Sequence, residues 1–428
     1  MGQRPGAARQ WRHRLNLGQP SAADRLGPET DASPRPPFGL ALAEFALALG
    51  GFALGTGEFA SMGLLPDIAH AAGVSIPTAG LAISAYALGV VIGAPLIAVT
   101  FAKAGRRTML AALMLAFALA NLMTAFSTAF GVVVLARFLA GLPHGAYFGF
   151  AALTAAAMAP LSGRAKAVGR IMLGLSVANI LGVPLATWVG QLLGWNAAFV
   201  LVAAAALTTA GLARLCLPPM PAHALASPMR ELGGLRRPQL WLTLGIAAVG
   251  FGGLFAVYSY VSPMLTQVTG VREAVVPLFL AVIGTGMVGG SLFGGWLADR
   301  GLLRAIGVTL ALNLLVLAAL PFAGRSPALV GIDLFLMGFV ALSLAPALQT
   351  RLMDVAGPAQ ALAASLNHSA FNVANALGAW LGGLCVAKGL GWTSTGPLGA
   401  CLAAGGLLIL LASALAERRA KVLLPSRT

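Results

Sequence analysis

The sequence predicts an all-α membrane protein with 12 transmembrane helices in two pseudo-symmetric six-helix bundles. Three observations carry that expectation: a composition too apolar for a soluble fold, basic residues confined to alternate loops, and an internal repeat near half the chain length. Of the 428 residues, 58% are hydrophobic and only 9% charged. No soluble fold could cover a surface of ordinary polarity with so few charges. A helix crosses the hydrocarbon with about 20 apolar residues, and such runs recur along nearly the whole chain.

Apolar runs between breakers fall near 39–64, 77–101, 108–126, 130–157, 168–190, 197–217, 239–262, 274–297, 303–323, 327–349, 362–386 and 395–416. They lack the alternation of a lipid-facing strand, which would be about 10 residues long, so helices are expected rather than a barrel. Residues 1–38 carry Pro, Gly, Ser and six Arg but no apolar h-region. That is not a cleavable signal peptide; it reads as a disordered cytosolic tail, and the first span doubles as the membrane signal. Residues 218–238 read as a cytosolic linker and 417–428 as a second cytosolic tail, leaving bundles over 39–217 and 239–416.

A net charge of +15 is compatible with nucleic-acid binding, but the basic residues sit in short clusters between apolar runs rather than on one face. With the N-terminus inside, the inner segments hold 23 of the 27 Lys and Arg, and the outer loops only Arg272, Arg325 and Lys388. The remaining one, Arg137, lies deep within span 4. This asymmetry puts both termini in the cytosol of a cell with an inner membrane and requires an even number of spans. Cys216, Cys385 and Cys401 lie in or beside apolar runs, an odd count with no pairing or metal-binding pattern,.

The repeat has an offset of 196–197 residues. Val177-Ala178-Asn179-Ile180-Leu181-Gly182 returns as Val373-Ala374-Asn375-Ala376-Leu377-Gly378, and Gly194-Trp195, Pro66 and Gly141 return as Gly391-Trp392, Pro263 and Gly338. Two six-span halves of like orientation describe parallel repeats about an axis normal to the membrane. Such halves can rock around a central site.

Several loops and spans carry recognisable patterns. Gly295-Trp296-Leu297-Ala298-Asp299-Arg300 after span 8 is similar to the loop signature G-x-L-a-D-R of the major facilitator superfamily. After span 2, Ala102-Lys103-Ala104-Gly105-Arg106-Arg107 keeps the basic half and has Ala102 in place of the Asp. Arg137-Phe138-Leu139-Ala140-Gly141 is similar to the R-x-x-q-G pattern of proton-coupled members. Gly55-Thr56-Gly57-Glu58-Phe59, Gly141-Leu142-Pro143-His144-Gly145 and Asn367-His368-Ser369-Ala370-Phe371-Asn372 resemble the 12-span drug:proton antiporter branch and its sugar-efflux-like, arabinose-efflux-type members. The resemblance covers 39–416. It implies the major facilitator fold, alternating access, a small-molecule substrate, protons as the coupled ion, a monomer in the lipid bilayer, and no cofactor, ATP or nucleic acid.

Few ionisable residues fall inside spans, where a charge costs at least about 2.5–3.5 kcal/mol at the helix centre. Glu58 lies about seven residues before the outer end of span 1 and Arg137 about seven after that of span 4. They stand at similar depth as an acid–base pair, either titrating or a fixed structural ion pair. Asp333, the repeat counterpart of Arg137, is either a second proton-coupling site or a hydrated surface group. Glu44 is close enough to the cytosolic edge to reach water. His144, Asn179, Asn367, His368, Asn372 and Asn375 are candidate cavity-lining residues, since buried amides and imidazoles need partners from another helix, water or substrate.

Gly182 and Pro184 form a bend in span 5, similar to a reduced antiporter motif, and with Asp299 and Arg300 they are the gating candidates. Tyr258 and Tyr260 end span 7 as either an interfacial aromatic belt or part of a gate. Gly284-Thr285-Gly286-Met287-Val288-Gly289 matches G-x-G-x-x-G but lies within an apolar span with no preceding strand, so it reads as helix packing rather than a dinucleotide site.

Three function classes follow. The first is proton-coupled efflux of a drug-like or sugar-like solute, toward which the likeness to exporters tips the reading. The second is uptake or facilitated diffusion on the same fold. The third and remotest is a membrane-embedded enzyme, for which no metal-ligand cluster, G-x-S-x-G elbow or Walker loop is present in the sequence.

Overall fold

The computed structural model describes residues 36–101, 104–160, 164–220, 236–356 and 360–423. Among them are 12 helices long and apolar enough to cross a membrane: α1 (Leu40–Gly63), α2 (Ile76–Ile97), α3 (Arg106–Ala125), α4 (Phe130–Met158), α5 (Ala167–Leu193), α6 (Trp195–Cys216), α7 (Pro238–Tyr258), α8 (Glu273–Ala298), α9 (Leu302–Ala323), α10 (Pro327–Ala356), α11 (Leu366–Ala387) and α12 (Trp392–Arg419). Each expected span is met by one of them. The largest shift is at a helix end: α10 runs on to Ala356. The expected tail over 1–38 and the linker over 218–238 lie largely outside the described residues. The linker's first residues fold back, the Met220 carbonyl accepting the Arg106 N–H at 3.4 Å.

Local chemistry explains the element ends. α7 and α10 open on Pro238 and Pro327, whose fixed φ and missing N–H suit a first helical turn. Between α1 and α2 a short helix, Leu65–Ala72, stops at Gly73 with φ of 63°, a left-handed turn that glycine adopts without penalty. Within α5 the segment Ala178–Gly182 forms a π-helical turn. Pro184 has no N–H to offer the Ile180 carbonyl, and a widened turn accommodates that gap.

Close helix crossings carry the repeat into three dimensions. A Cβ on Gly89 or Gly93 of α2 would collide with the carbonyl oxygens of Phe138 and Leu142 in α4. Gly286 and Gly290 of α8, 197 residues on, meet the Phe335 and Phe339 carbonyls of α10 in the same way. Gly182 approaches α1 at Phe52 and Thr56, and Gly378 approaches α7 at Gly252 and Ala256. Small residues at these crossings let backbones touch, which is how helices associate when lipid removes the hydrophobic drive between them. The G-x-G-x-x-G run of α8 is thus packing surface. Large apolar side chains such as Leu119, Leu192, Trp380 and Leu408 point outward, as a lipid-facing surface requires.

We call the side where α1 begins the terminal face, and the side where α1 hands over to α2 the turn face. Near the turn face the halves are in contact. Phe59 of α1 stacks on Tyr258 of α7, with ring centroids 5.4 Å apart. Ser84 donates to the Ala376 carbonyl at 3.3 Å, and Gln191 Nε2 to the Glu273 carbonyl at 3.0 Å. Gly63 abuts Leu280, and Gly80 abuts the Tyr260 hydroxyl. Tyr258 and Tyr260 are fully buried, so the interfacial-belt reading does not hold. α7 breaks after Tyr258, continues as Val261–Gln267, and turns both rings into the seam between halves.

Candidate functional site: a buried polar network across the two halves

The site begins at the turn-face end of α1. Glu58 is 7% exposed and follows Gly57, whose lack of a side chain admits Phe117 and Val202. Its Oε1 accepts a hydrogen bond from Asn375 Nδ2 of α11 at 3.2 Å. Its Oε2 faces His144 Nε2 of α4 at 3.8 Å. The first of these contacts joins the two six-helix halves.

His144 is held from behind. Tyr86 of α2 hydrogen-bonds its Nδ1 at 2.8 Å. When the Tyr86 hydroxyl donates, the imidazole proton sits on Nε2 and faces the Glu58 carboxylate. Phe148, one turn along α4, packs on His144 and also stacks on His368 of α11, with centroids 5.8 Å apart and planes within 4°. This is a second bridge between the halves.

Arg137 is 1% exposed. Its guanidinium donates to the Gly57 carbonyl at 2.7 Å and to Asn121 Oδ1 at 3.3 Å. It lies over the Tyr86 ring at 4.4 Å and the Phe199 ring at 5.2 Å. Two charge-assisted hydrogen bonds, at about 1.5–3 kcal/mol each, and two cation–π contacts, at about 0.5–2 kcal/mol each, suffice to hold this cation without an anion. The expected Glu58–Arg137 ion pair is accordingly not made. Arg137 binds the backbone next to Glu58, and His144 stands against the carboxylate instead.

The other expected residues are distributed as follows. Asn179 is buried at the π-helical turn; its Nδ2 bonds the Leu175 carbonyl at 3.2 Å and its Oδ1 is unpartnered. Its own carbonyl lies against Gly284 of α8, so the Gly182–Pro184 step sits at an inter-half crossing. Asn367, Asn372 and Asn375 are buried on α11, each with an unpartnered Oδ1.

Asp333 is 7% exposed. Among the described residues no hydrogen bond or ion pair engages it, and it is not part of the Glu58 network. Glu44 does not reach for water but pairs with Arg170. Arg300 folds back onto its own helix, donating to the Trp296 carbonyl at 2.8 Å and lying 3.5 Å above the Trp296 ring. Asp299 is exposed and makes no side-chain contact with a neighbouring helix end among the described residues.

Tyr86, Asn121 and Phe148 escaped the sequence reading. A signal existed for the first: all four tyrosines of the chain fall in or at the ends of apolar runs, and all four are buried.

The family model for the Major Facilitator Superfamily matches residues 47–361. The inner membrane transport protein YdhP of Escherichia coli strain K12 is 39% identical over 356 residues, 83% of this chain and 92% of that protein. The chloramphenicol resistance protein of Streptomyces lividans is 34% identical over 358 residues, covering 83% and 90%. Among solved structures, the D-xylose–proton symporter superposes with a TM-score of 0.70 at 17% identity, over 87% of this chain and 97% of that one; at that identity it shows the fold alone. The matching helices, repeat and loop signature thus have one source: the chain belongs to the Major Facilitator Superfamily and is a multi-pass inner-membrane transporter of small molecules.

Proposed function

We propose that the chain exports a small organic solute in exchange for protons by alternating access, with Glu58 as the proton carrier. The observation that carries this reading is the hydrogen bond from Asn375 to Glu58 across the halves. An N–H donor bonds a carboxylate more strongly than a neutral carboxyl, because the bond is then charge-assisted. Closing the turn face brings Asn375 onto Glu58 and favours release of its proton. Opening it withdraws that donor and favours proton uptake. The proton state is thereby linked to which face is open, as coupling requires.

The basic asymmetry of the loops supports a cytosolic terminal face. The network is completed by Arg137, which orders α1 beside Glu58, and by His144, which steadies the carboxylate. The Gly182–Pro184 turn would flex as α5 slides on α8, and Asp299 and Arg300 would meet a neighbouring helix end in the opposite state. The resistance-type relative favours export over uptake.

The test uses inverted vesicles with an acid lumen and chloramphenicol as first probe. Adding the probe outside should raise the luminal pH, and Glu58→Gln, which keeps volume and polarity, should bind and exchange the probe without concentrating it. Concentration by Glu58→Gln under the proton gradient would remove Glu58 as carrier and make Asp333 the next residue to test. Luminal acidification on probe addition would instead mark uptake.

A further inference from the structure

α11 carries polar groups beyond those that meet Glu58. His368, Asn372 and Asn375 follow one another at steps of four and three and so share a helix face. That face meets the first half, since His368 stacks on Phe148 and Asn375 reaches Glu58. Asn372 lies between them and is 5% exposed.

The amide orientations are fixed by their partners. Asn372 Nδ2 bonds the His368 carbonyl at 3.1 Å. A carbonyl only accepts, so the nitrogen must be on that side and Oδ1 is the free end. Asn375 likewise spends its nitrogen on the Glu58 carboxylate. The Oδ1 atoms of both residues are buried and unpartnered, and leaving such an atom unmatched costs about as much as its desolvation. The other orphaned groups near Glu58 include Arg137 Nε and the hydroxyls of Tyr258, Thr56 and Ser61, which can donate or accept. The guanidinium of Arg137 lies over the Tyr86 and Phe199 rings. The seam between α4 and α11 thus presents carbonyl-type acceptors beside the stacked Phe148 and His368 rings.

Charge selects among ligands that could satisfy those acceptors. Glu58 and Arg137 cancel formally; His144, His368, Tyr86 and Tyr258 complete the titratable groups around Glu58 and supply no anion. No net negative charge remains to hold an ammonium group, and a proton on Glu58 would leave the site positive. We infer that this seam binds a neutral solute with several hydroxyl or amide N–H donors next to a flat apolar face. The donors reach Asn372 and Asn375, and the face lies against Phe148 and His368. The inference rests on the transport reading above for its purpose, but the site's chemistry is tested by binding alone.

Equilibrium dialysis of the detergent-solubilised full chain, without any gradient, uses three probes: 4-nitrophenyl β-xyloside, its per-O-acetate, and tetraphenylphosphonium. The free glycoside should bind at least tenfold more tightly than its acetate, the scale of one or two neutral hydrogen bonds, and tetraphenylphosphonium should not displace it. Asn372→Leu should remove most of that preference by weakening the glycoside alone, whereas Phe148→Leu should weaken glycoside and acetate together. Asn372→Gln, which keeps both an amide donor and an acceptor, should retain the preference and guards against a folding defect in the leucine variant. Equal binding of glycoside and acetate, displacement by the cation, no glycoside binding, or an unchanged preference in Asn372→Leu overturns the inference. Failure of Glu58→Gln to uncouple would leave these binding results standing, so the two readings fall separately.

Discussion

Where the first half carries Arg137, the second carries Asp333, 196 residues later. The backbones around them correspond closely, down to the glycine pairs that set the α2–α4 and α8–α10 crossings. The interiors do not. Offsets of 196 and 197 take Glu58 to Leu254 and Phe255, Tyr86 to Val282 and Ile283, Asn121 to Leu317 and Ala318, and His144 to Val340 and Ala341. Every polar member that the first half contributes, save Arg137, has only apolar counterparts. One repeat therefore keeps the chemistry, and the other supplies a matching frame plus a single polar stripe on α11 that reads it. The symmetric mate of Asn375 shows the cost of that division. Asn179 has no acid opposite it, falls back on its own helix at Leu175 and leaves its oxygen unpartnered.

The largest expected effect sets the two related positions against each other. Arg137→Ala removes two hydrogen bonds from a buried cation and strands the Gly57 carbonyl and Asn121. At about 1.5–3 kcal/mol per charge-assisted bond, gradient-driven transport should fall about a hundredfold or more, and the melting temperature should drop. Arg137→Lys keeps the charge without the planar fork and should retain part of the activity. Asp333→Asn breaks no hydrogen bond and should change the rate by no more than about threefold. Equal losses in Arg137→Ala and Asp333→Asn would show that the second half carries chemistry after all.

An intermediate effect is expected at the repeated asparagines. Asn375→Ala removes the donor that crosses to Glu58; transport should slow about tenfold, within the range of a charge-assisted bond, and its pH profile should move. Asn179→Ala loses a bond to its own helix only, and should stay within about twofold with an unmoved profile. Transport assays from pH 5 to 8 on both variants decide this. A shifted profile in Asn179→Ala would make the stripe on α5 a functional equal of that on α11.

The fold was legible because membrane insertion leaves a coarse record. Long apolar runs, loop charges and the repeat at Asn179 and Asn375 are one-dimensional signals of span number and pairing. The site was legible in its members, since ionisable residues inside spans are few, but not in its pairings. Depth alone placed Glu58 beside Arg137. Sequence spacing does not report azimuth around a helix, and that is what turns Arg137 toward the Gly57 carbonyl and His144 toward the carboxylate. Tyr86 was passed over because a tyrosine in a span satisfies an apolar pattern, although its hydroxyl fixes His144. The readings of Asp299 and Arg300 concern a contact between conformations, which a single state with its turn face closed does not display.

The smallest expected effect lies at the rim of that closed face, where the halves again differ. Asp67, on the short helix after α1, is half-buried. Burial raises its carboxyl above the ordinary carboxylate range, and Glu273 of the other half raises it further, against partial relief from its local backbone and His70. Their repeat counterparts, Met264 and Ile76, carry no charge, so this repulsion exists only between non-equivalent positions across the seam. The closed face holds the proton on Asp67 more tightly than a solvated carboxyl would. Closure is therefore favoured as pH falls through the raised range and weakened as pH rises above it and Asp67 ionises beside Glu273. A half-exposed pair is worth only about 0.2–1 kcal/mol, which corresponds to a change of about 1.4- to fivefold in the ratio of closed to open faces. Spin labels at Thr128→Cys and Arg325→Cys, in a background without the three native cysteines, would report that ratio as a distance distribution. With Glu58→Gln as the parent, so that the opposite response of the buried carboxylate is removed, the closed fraction should grow on acidification. In Asp67→Asn it should start higher at neutral pH and change less with acid. If Asp67→Asn leaves the slope with pH intact, the rim carboxylates do not sense protons.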